Sequence, residues 1–298
     1  MKLNNFFLKP FLIAAFFIAV ISCKKNGSSP EPGPGPGPGP VPVPDSSYLN
    51  DTSGYATPLS YTGYNLVWND EFSGSSIDAA SWSFEIGNNG GWGNNELETY
   101  TMNNAFAAKG KLVIEARRES MGGYNYTSAR MVTKYKKSFT YGRVDIRAKL
   151  PYGQGIWPAL WMLGENIDAV SWPACGEMDI MEMVGHEPNK IYGTLHWGAN
   201  FALHRSAGGS YTLASGNFHD QYHVFSLVWE ENSYKILVDD QVYKTISGND
   251  IAPDNNPFDK PQFFIFNIAV GGNWPGTPDG STVFPQRMLV DYIRVFQQ

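Results

Sequence analysis

Short segments in which apolar and polar residues alternate recur along most of the chain. In residues 142–150, Val144, Ile146 and Ala148 alternate with charged residues, so an extended strand here would have one apolar and one polar face. Apolar runs bounded by charged or turn-forming residues predict further short strands at 111–117, 224–229, 234–238, 242–244, 263–270 and 290–296. No window of twelve or more residues between 50 and 298 carries apolar side chains at helical spacing.

These segments predict an all-β fold. The polar residues 230–233 would turn the strand 224–229 into 234–238, and the long apolar run 263–270 is expected at the centre of a sheet. Many short strands joined by turns rich in Gly and Pro are typical of a β-sandwich or barrel. Because no linker interrupts residues 50–298, we predict a single domain there.

The first 22 residues have the features of a secretory signal peptide. Basic Lys2 and Lys9 accompany the apolar segment 11–21, which is too short to span a bilayer. The following Val20-Ile21-Ser22-Cys23 resembles the lipobox of bacterial lipoproteins. That resemblance implies cleavage before Cys23 and lipidation of its thiol; simple secretion, with Cys23 incidental, is the alternative.

The composition of residues 23–49 indicates a spacer. Residues 30–44 hold 8 of the 20 prolines of the chain, mostly alternating with Gly, and such a sequence stays extended and forms no core. We therefore expect a domain tethered to a membrane of the bacterial cell envelope through a lipid anchor.

Composition narrows the classes of partner. The chain has 22 Lys and Arg against 28 Asp and Glu, a formal net charge of −6, which argues against nucleic-acid binding because phosphate binding needs a basic face. Aromatic residues make up 14%, including 9 Trp, and exposed Trp and Tyr suit a binding surface. Cys23 and Cys175 are the two cysteines, so a disulfide framework is excluded.

The segment 176–185, Gly-Glu-Met-Asp-Ile-Met-Glu-Met-Val-Gly, carries the candidate chemistry. On a regular strand Glu177 and Asp179 point to one face, and Glu182 points to the other. One extra residue, a β-bulge at Ile180 or Met181, would bring all three carboxylates to the same face.

Neighbouring carboxylates on one strand suit cleavage of a glycosidic bond. One carboxyl protonates the leaving oxygen, and a second attacks the sugar or activates water. A third carboxyl nearby opposes ionisation, which helps to keep one of them protonated as an acid. An exposed acidic strand face, with or without calcium, is the alternative, although such a face does not usually alternate with Met and Ile.

The carboxylate segment resembles the active-site strand of glycoside hydrolase family 16, in its laminarinase-like branch with the bulged Glu-x-Asp-x-x-Glu form. Other segments resemble the family in the same order along the chain: 68–72, 91–98, 140–151, 155–162, 196–197 and 271–276. Thr99 stands where an aromatic residue is common in the family, which puts one distal sugar contact in doubt.

The resemblance implies a β-jelly roll of two curved antiparallel sheets with a concave substrate cleft. It implies a retaining, endo-acting hydrolase in which Glu177 is the nucleophile, Glu182 the acid/base, and Asp179 positions Glu177. The bulged form favours a β-1,3-glucan such as laminarin as substrate. Mixed-linkage β-1,3-1,4-glucan is the close alternative, and galactan cleavage or glycan binding without catalysis is less favoured.

Candidate substrate contacts follow from the same resemblance and from the residue types, since indole rings stack on the apolar faces of sugars. They are Trp92, Asn94, Asn95, Arg130, Trp157, Trp161, His196 and Trp274. For His196 we expect hydrogen bonding near the acid/base. The alternatives are purely structural roles: a core position for Trp157 and Trp161, a surface ion pair for Arg130, and turn formation for the asparagines.

Family members often hold one structural calcium ion, and the matching positions here are near Glu71, Gly110 and Asp291. An oxygen-only site there would tie the two ends of the domain together. The chemistry itself requires no cofactor, and we expect the domain to act as a monomer.

Overall fold

The computed structural model describes residues 46–251 and 256–298. The predicted signal peptide 1–22, the lipidation site Cys23 and the spacer 30–44 lie outside the described residues. The compact unit spans Asp45–Gln298. Within the described part of the chain, no helix is both long enough and apolar enough to cross a membrane.

Eighteen strands and a few short helices make up the described chain. The strands are β1 (Asn65–Asp70), β2 (Ser83–Glu85), β3 (Glu98–Tyr100), β4 (Ala105–Ala108), β5 (Lys111–Ala116), β6 (Tyr126–Ser128), β7 (Arg130–Val132), β8 (Ser138–Phe139), β9 (Gly142–Lys149), β10 (Ile156–Gly164), β11 (Glu177–Glu182), β12 (Lys190–Trp197), β13 (Arg205–Thr212), β14 (His223–Glu230), β15 (Ser233–Val238), β16 (Gln241–Ser247), β17 (Gln262–Val270) and β18 (Gln286–Gln297). The α-helices are α1 (Ile167–Val170) and α2 (Gly248–Ile251), and 3₁₀ turns cover Ser47–Asn50, Met102–Asn104, Phe201–Leu203 and Pro257–Asp259.

Two antiparallel sheets of eight strands carry the fold. The back sheet runs β16-β15-β14-β9-β18-β5-β4, with β1 paired to β18. The cleft sheet runs β13-β12-β11-β10-β17-β7-β2, with β8 paired to β17. This is the predicted all-β sandwich, and the predicted strands, the 230–233 turn and the central place of residues 263–270 are confirmed.

The core lies between the two sheets. Alternate residues of each strand face it, as the period of two requires, among them Val144 and Ile146 from the back sheet and Leu160, Met178 and Phe266 from the cleft sheet. The other face of the cleft sheet is therefore free to carry polar side chains.

The polar face of β9 is covered by another segment of the chain and is not open to solvent. Asp145 and Arg147 are buried under residues 46–61, which we call the strap. Arg147 donates from Nε to the carbonyl oxygen of Tyr55 at 2.6 Å and from Nη2 to that of Thr52 at 2.8 Å. Alternation correctly predicted the strand, but a segment distant in sequence decides whether its second face meets water.

Candidate active site

A β-bulge on β11 builds the site. Against β12, Asp179 pairs with Thr194 and Glu182 with Tyr192, so three steps on β11 oppose two on its neighbour. Against β10, Met181 and Asp179 pair with consecutive residues, and Ile180 is the extra residue. The predicted bulge is thus confirmed, and it turns Glu177, Asp179 and Glu182 towards one face.

Glu177 and Glu182 line the cleft on that face, and Asp179 lies almost fully buried with 4% of its surface exposed. Glu177 Oε2 accepts a hydrogen bond from Trp172 Nε1 at 3.1 Å, and Glu182 Oε1 accepts one from Trp157 Nε1 at 3.1 Å. Each candidate catalytic carboxyl is therefore held by its own indole.

The surroundings of the carboxyls oppose their ionisation. Burial, followed by the charge of Asp179, raises the pKa of Glu177 to about 8. Burial and the same neighbouring charge raise the pKa of Glu182 to about 8, and burial alone raises that of Asp179. Such a cluster keeps protons at neutral pH, which an acid catalyst requires.

Nearby groups partly offset burial at both glutamates. His196 favours the ionised form of both; Arg130 adds to this at Glu177, and the hydrogen bond from Trp157 adds to it at Glu182. The pKa of each carboxyl nevertheless stays raised, at about 8.

Most of the predicted contact residues line one cleft of about 720 Å³. These are Trp92, Asn94, Arg130, Trp157, Trp161, His196 and Trp274. Asn95 does not line the cleft: its Nδ2 donates to Asn273 Oδ1 at 2.8 Å and so joins two loops at the rim.

Arg130 lines the cleft and also forms an ion pair with Glu85. Its guanidinium lies between two indoles, 4.5 Å from the ring centre of Trp92 and 4.8 Å from that of Trp161, and its Nε pairs with Glu85. Trp161 is thereby placed at the cleft surface rather than in the core. The planar cation is fixed by stacking and by its carboxylate partner.

Trp157 and Trp274 form a second aromatic pair. Their rings meet edge to face at 5.4 Å, and Tyr192 packs on Trp274 at 5.0 Å. Since Trp157 also bonds Glu182, this pair marks the Glu182 end of the cleft.

His196 lies beside Glu177 and Asp179. The strand register pairs it with Glu177, and its Nε2 is 3.2 Å from Asp179 Oδ2 and 3.9 Å from Glu177 Oε1. His196 also favours the ionised form of Glu182, and its hydrogen bonding near the acid/base stays a prediction.

Sequence reasoning missed several cleft residues. They are Glu96, Trp172, Tyr192, Thr194, Phe201, His204, Ser206 and Asn267. Alternation along β12 from His196 could have found Thr194 and Tyr192. Trp172, Phe201 and His204 are on loops with no periodic signal.

A polar network lies beneath the cleft floor. Trp161 Nε1 donates to Asn267 Oδ1 at 2.8 Å, Asn267 Nδ2 donates to the hydroxyl of Tyr100 at 3.1 Å, and that hydroxyl donates to Glu96 at 3.1 Å. Buried polar groups paired in this way fix the side chains that they join. The network holds Trp161 in one orientation.

Two of the three positions predicted for calcium, Glu71 and Asp291, pair with cationic side chains of the protein. Arg294 binds both carboxylate oxygens of Glu71, at 2.8 and 2.9 Å. Lys111 pairs with one oxygen of Asp291, and Arg147 with the other at 2.7 Å. These side chains as placed do not fit a calcium ion, because each carboxylate is already neutralised. We expect a chelator to leave the melting temperature unchanged.

Cleavage of a glycosidic bond needs two carboxyls on one cleft, one of which keeps a proton to give to the leaving oxygen, and Glu177 and Glu182 meet that requirement. The profile of Glycosyl hydrolases family 16 matches residues 93–294. The chain belongs to this family.

Similar proteins bear out the assignment. The chain is 41% identical to a glucan endo-1,3-beta-glucosidase A1 of Niallia circulans over 82% of its own length but 39% of the relative's, so it spans less than half of that protein. It is 41% identical to a beta-glucanase of Rhodothermus marinus, over 78% of this chain and 85% of that one. The solved laminarinase catalytic domain of Thermotoga maritima MSB8 superposes with a TM-score of 0.74 at 49% identity, covering 79% of this chain and 98% of that one.

Proposed function

We propose that this chain is a retaining endo-β-1,3-glucanase acting on laminarin-like glucan. The observation that carries the proposal is the bulge at Ile180, which sets Glu177, Asp179 and Glu182 on one face of the cleft. The similarity to proteins named as endo-1,3-β-glucanases and laminarinases supports the linkage.

The proposed reaction has two steps. Glu182, protonated, gives its proton to the glycosidic oxygen while the carboxylate of Glu177 attacks the anomeric carbon, so that the bond to the leaving sugar breaks. Glu182 then removes a proton from water, the water oxygen attacks the anomeric carbon, and Glu177 is released. Asp179 stays buried beneath both and, with His196, keeps Glu177 in place.

The cleft suits a neutral polysaccharide. Indoles supply stacking surfaces, and Arg130 is already neutralised by Glu85, so the cation is not free to pair with a sulfate or carboxylate on the substrate. Mixed-linkage β-1,3-1,4-glucan remains the alternative substrate. The catalytic strand acts on the bond that is cleaved and does not distinguish the linkage between the neighbouring sugars.

Product analysis tests the proposal. The domain from Ser46 onward would be incubated separately with laminarin and with barley mixed-linkage glucan. Short oligosaccharides mainly from laminarin are expected, first formed with the β-anomeric configuration by NMR. Release mainly from barley glucan would move the specificity to the mixed linkage, and an initial α-anomer would contradict the retaining mechanism.

The role of Glu177 is tested by Glu177→Ala. We expect hydrolysis to fall below a hundredth of the unmodified rate while binding to laminarin persists, because the variant lacks the attacking carboxylate and keeps the aromatic cleft. Glu231→Ala, a carboxylate in the exposed 230–233 turn of the back sheet and outside the cleft lining, is the matched control and should leave the rate unchanged. Residual turnover above that limit would refute Glu177 as nucleophile.

We further propose that the full chain is a lipid-anchored envelope protein, as the segment around Cys23 suggests. The test is metabolic labelling with a radioactive fatty acid in a bacterial host. Label in the unmodified chain and none in Cys23→Ala is expected; equal label in both would leave simple secretion.

A further inference from the structure

Two histidines lie against each other beside Glu177. His196 is on β12, and His204 follows the turn Phe201–Leu203. His196 Nδ1 is 2.8 Å from His204 Nε2, and the two rings are stacked at 15° with centres 5.1 Å apart. The other ring nitrogen of His196, Nε2, faces Asp179 and Glu177.

His204 is held in place from several sides. Its ring packs on Trp172 at 4.7 Å between centres, and Trp172 is the residue that donates to Glu177 Oε2. The turn before it is closed by Asn200, whose side chain accepts from the backbone of Leu203. His204 therefore contacts two of the groups that bind the carboxylates, although it does not touch the carboxylates itself.

The contacts restrict where protons lie on the two rings. Nε2 of His196 faces carboxylate oxygens, so a proton is favoured there. When His196 is neutral, its Nδ1 accepts from His204; when it is charged, its Nδ1 donates to His204. Burial, together with His196, lowers the pKa of His204, so that this residue remains neutral and fits both arrangements.

We propose that His204 is a positioning residue: by binding Nδ1 of His196, it keeps the Nε2–H of His196 directed at Asp179 and Glu177. A donor held there favours the ionised, attacking form of Glu177. The inference rests on the proposed function and adds to it a residue outside the carboxylate strand.

Other charges act on the same place. The charged groups that act on Glu177 besides His196 are Asp179 and Glu182 on β11 and Arg130 on β7, and Arg205 lies on the next strand, β13, opposite Trp197. None of these changes when His204 is replaced, so a shift in pH dependence reports on the histidine pair.

The test compares His204→Phe with His204→Gln. Phe keeps a ring against Trp172 but has no hydrogen-bonding atom. In Gln the amide nitrogen and oxygen are as many bonds from Cβ as Nε2 is in His, so Gln can still bind Nδ1 of His196. For His204→Phe we expect the acidic limb of the kcat/KM profile to move upward by about one pH unit and kcat to fall about tenfold at the acidic end, with KM changed less than threefold. His204→Gln should restore both.

A second readout does not depend on activity. In the unmodified chain, ¹⁵N NMR of labelled histidines should show His196 with a proton on Nε2, and in His204→Phe a mixture of both tautomers; His196→Asn assigns the signal. An unmoved pH profile and tautomer in His204→Phe would overturn the proposal. So would equal losses in both variants with the profile unmoved, which indicate a merely structural role. If no glucan is cleaved by the unmodified chain, the proposed function fails, and the tautomer measurement still decides the inference.

Discussion

At the scale of single residues, the burial that raises the pKa of Glu177 also makes the stability of the fold depend on pH. Burial raises the pKa of Glu177 to about 8, so its ionisation in the folded chain is opposed, whereas in the unfolded chain it ionises near its ordinary value of 4.5. Between these values the folded state binds more protons than the unfolded state. The contribution of this group to the free energy of unfolding is therefore greatest below pH 4.5 and is lost as the pH rises through about 8.

This predicts a pH-dependent stabilisation by Glu177→Gln. The amide resembles the protonated carboxyl and never ionises, so the variant should melt a few degrees higher than the unmodified chain at pH 8.5, a gain of at least about 1 kcal/mol. At pH 4 the two should melt together. Thermal melts at both pH values check this, and a difference of the same size at each would contradict it.

Burial also raises the pKa of Cys175, which takes no part in the proposed reaction. Its thiol is buried beside the catalytic strand, and burial with the charge of Glu177 raises its pKa to about 12. A thiol in that state is a packing group and not a nucleophile.

At the scale of elements, the bulge depends on a glycine opposite to it. Gly193 on β12 faces the two residues, Ile180 and Met181, that occupy the extra step. A Cβ at Gly193 would lie 2.5 Å from the hydroxyl oxygen of Tyr243 and 2.8 Å from Cγ2 of Ile236. Side chains of the back sheet thus fill the space beneath the bulge.

Gly193→Ala should consequently destabilise the domain. Overpacking of this kind costs about 1–3 kcal/mol, or a fall in melting temperature of roughly 5 °C, and it should lower activity because the bulge aims Glu182. The matched control is Gly209→Ala, at the position paired with Gly193 across the strands, where the three atoms nearest to the new Cβ belong to the Lys244 side chain and lie 3.2–3.4 Å away. Equal melting of the two variants would show that the bulge tolerates a side chain there.

At the scale of the whole molecule, the strap covers the outer face of the back sheet. Leu49 packs with Val113, Tyr222 and Leu289. Tyr61 donates to Asp145 at 2.7 Å. The cleft lies on the other sheet, so the strap should govern stability without entering the chemistry.

Removal of the strap tests this division. A chain that begins at Gly63 should melt roughly 10 °C below one that begins at Ser46, because it exposes apolar surface and leaves Arg147 without its carbonyl partners. Leu49→Ala, which keeps the strap, should lower the melting temperature by a smaller amount and leave hydrolysis at 25 °C unchanged. A loss of activity in the folded Leu49→Ala variant would show that the two sheets are coupled.

The sequence by itself determined the all-β class, several of the strands and the three candidate carboxylates of one segment. Side-chain direction along a strand is a local property, so the odd step from Glu177 to Glu182 predicts a bulge near Ile180 once the chemistry and the family resemblance ask for all three carboxylates on one face. Residue type likewise pointed to the indoles at Trp157 and Trp161.

Only the tertiary structure decided which distant groups meet. Trp172 reaches Glu177 and His204 reaches His196 from outside the strands, Asn267 reaches Trp161 from the neighbouring strand, and Arg294 binds both oxygens of Glu71. Such pairs depend on strand order and register, which periodicity does not encode, and a charge is paired or left for a metal only once the chain has brought its neighbours into place.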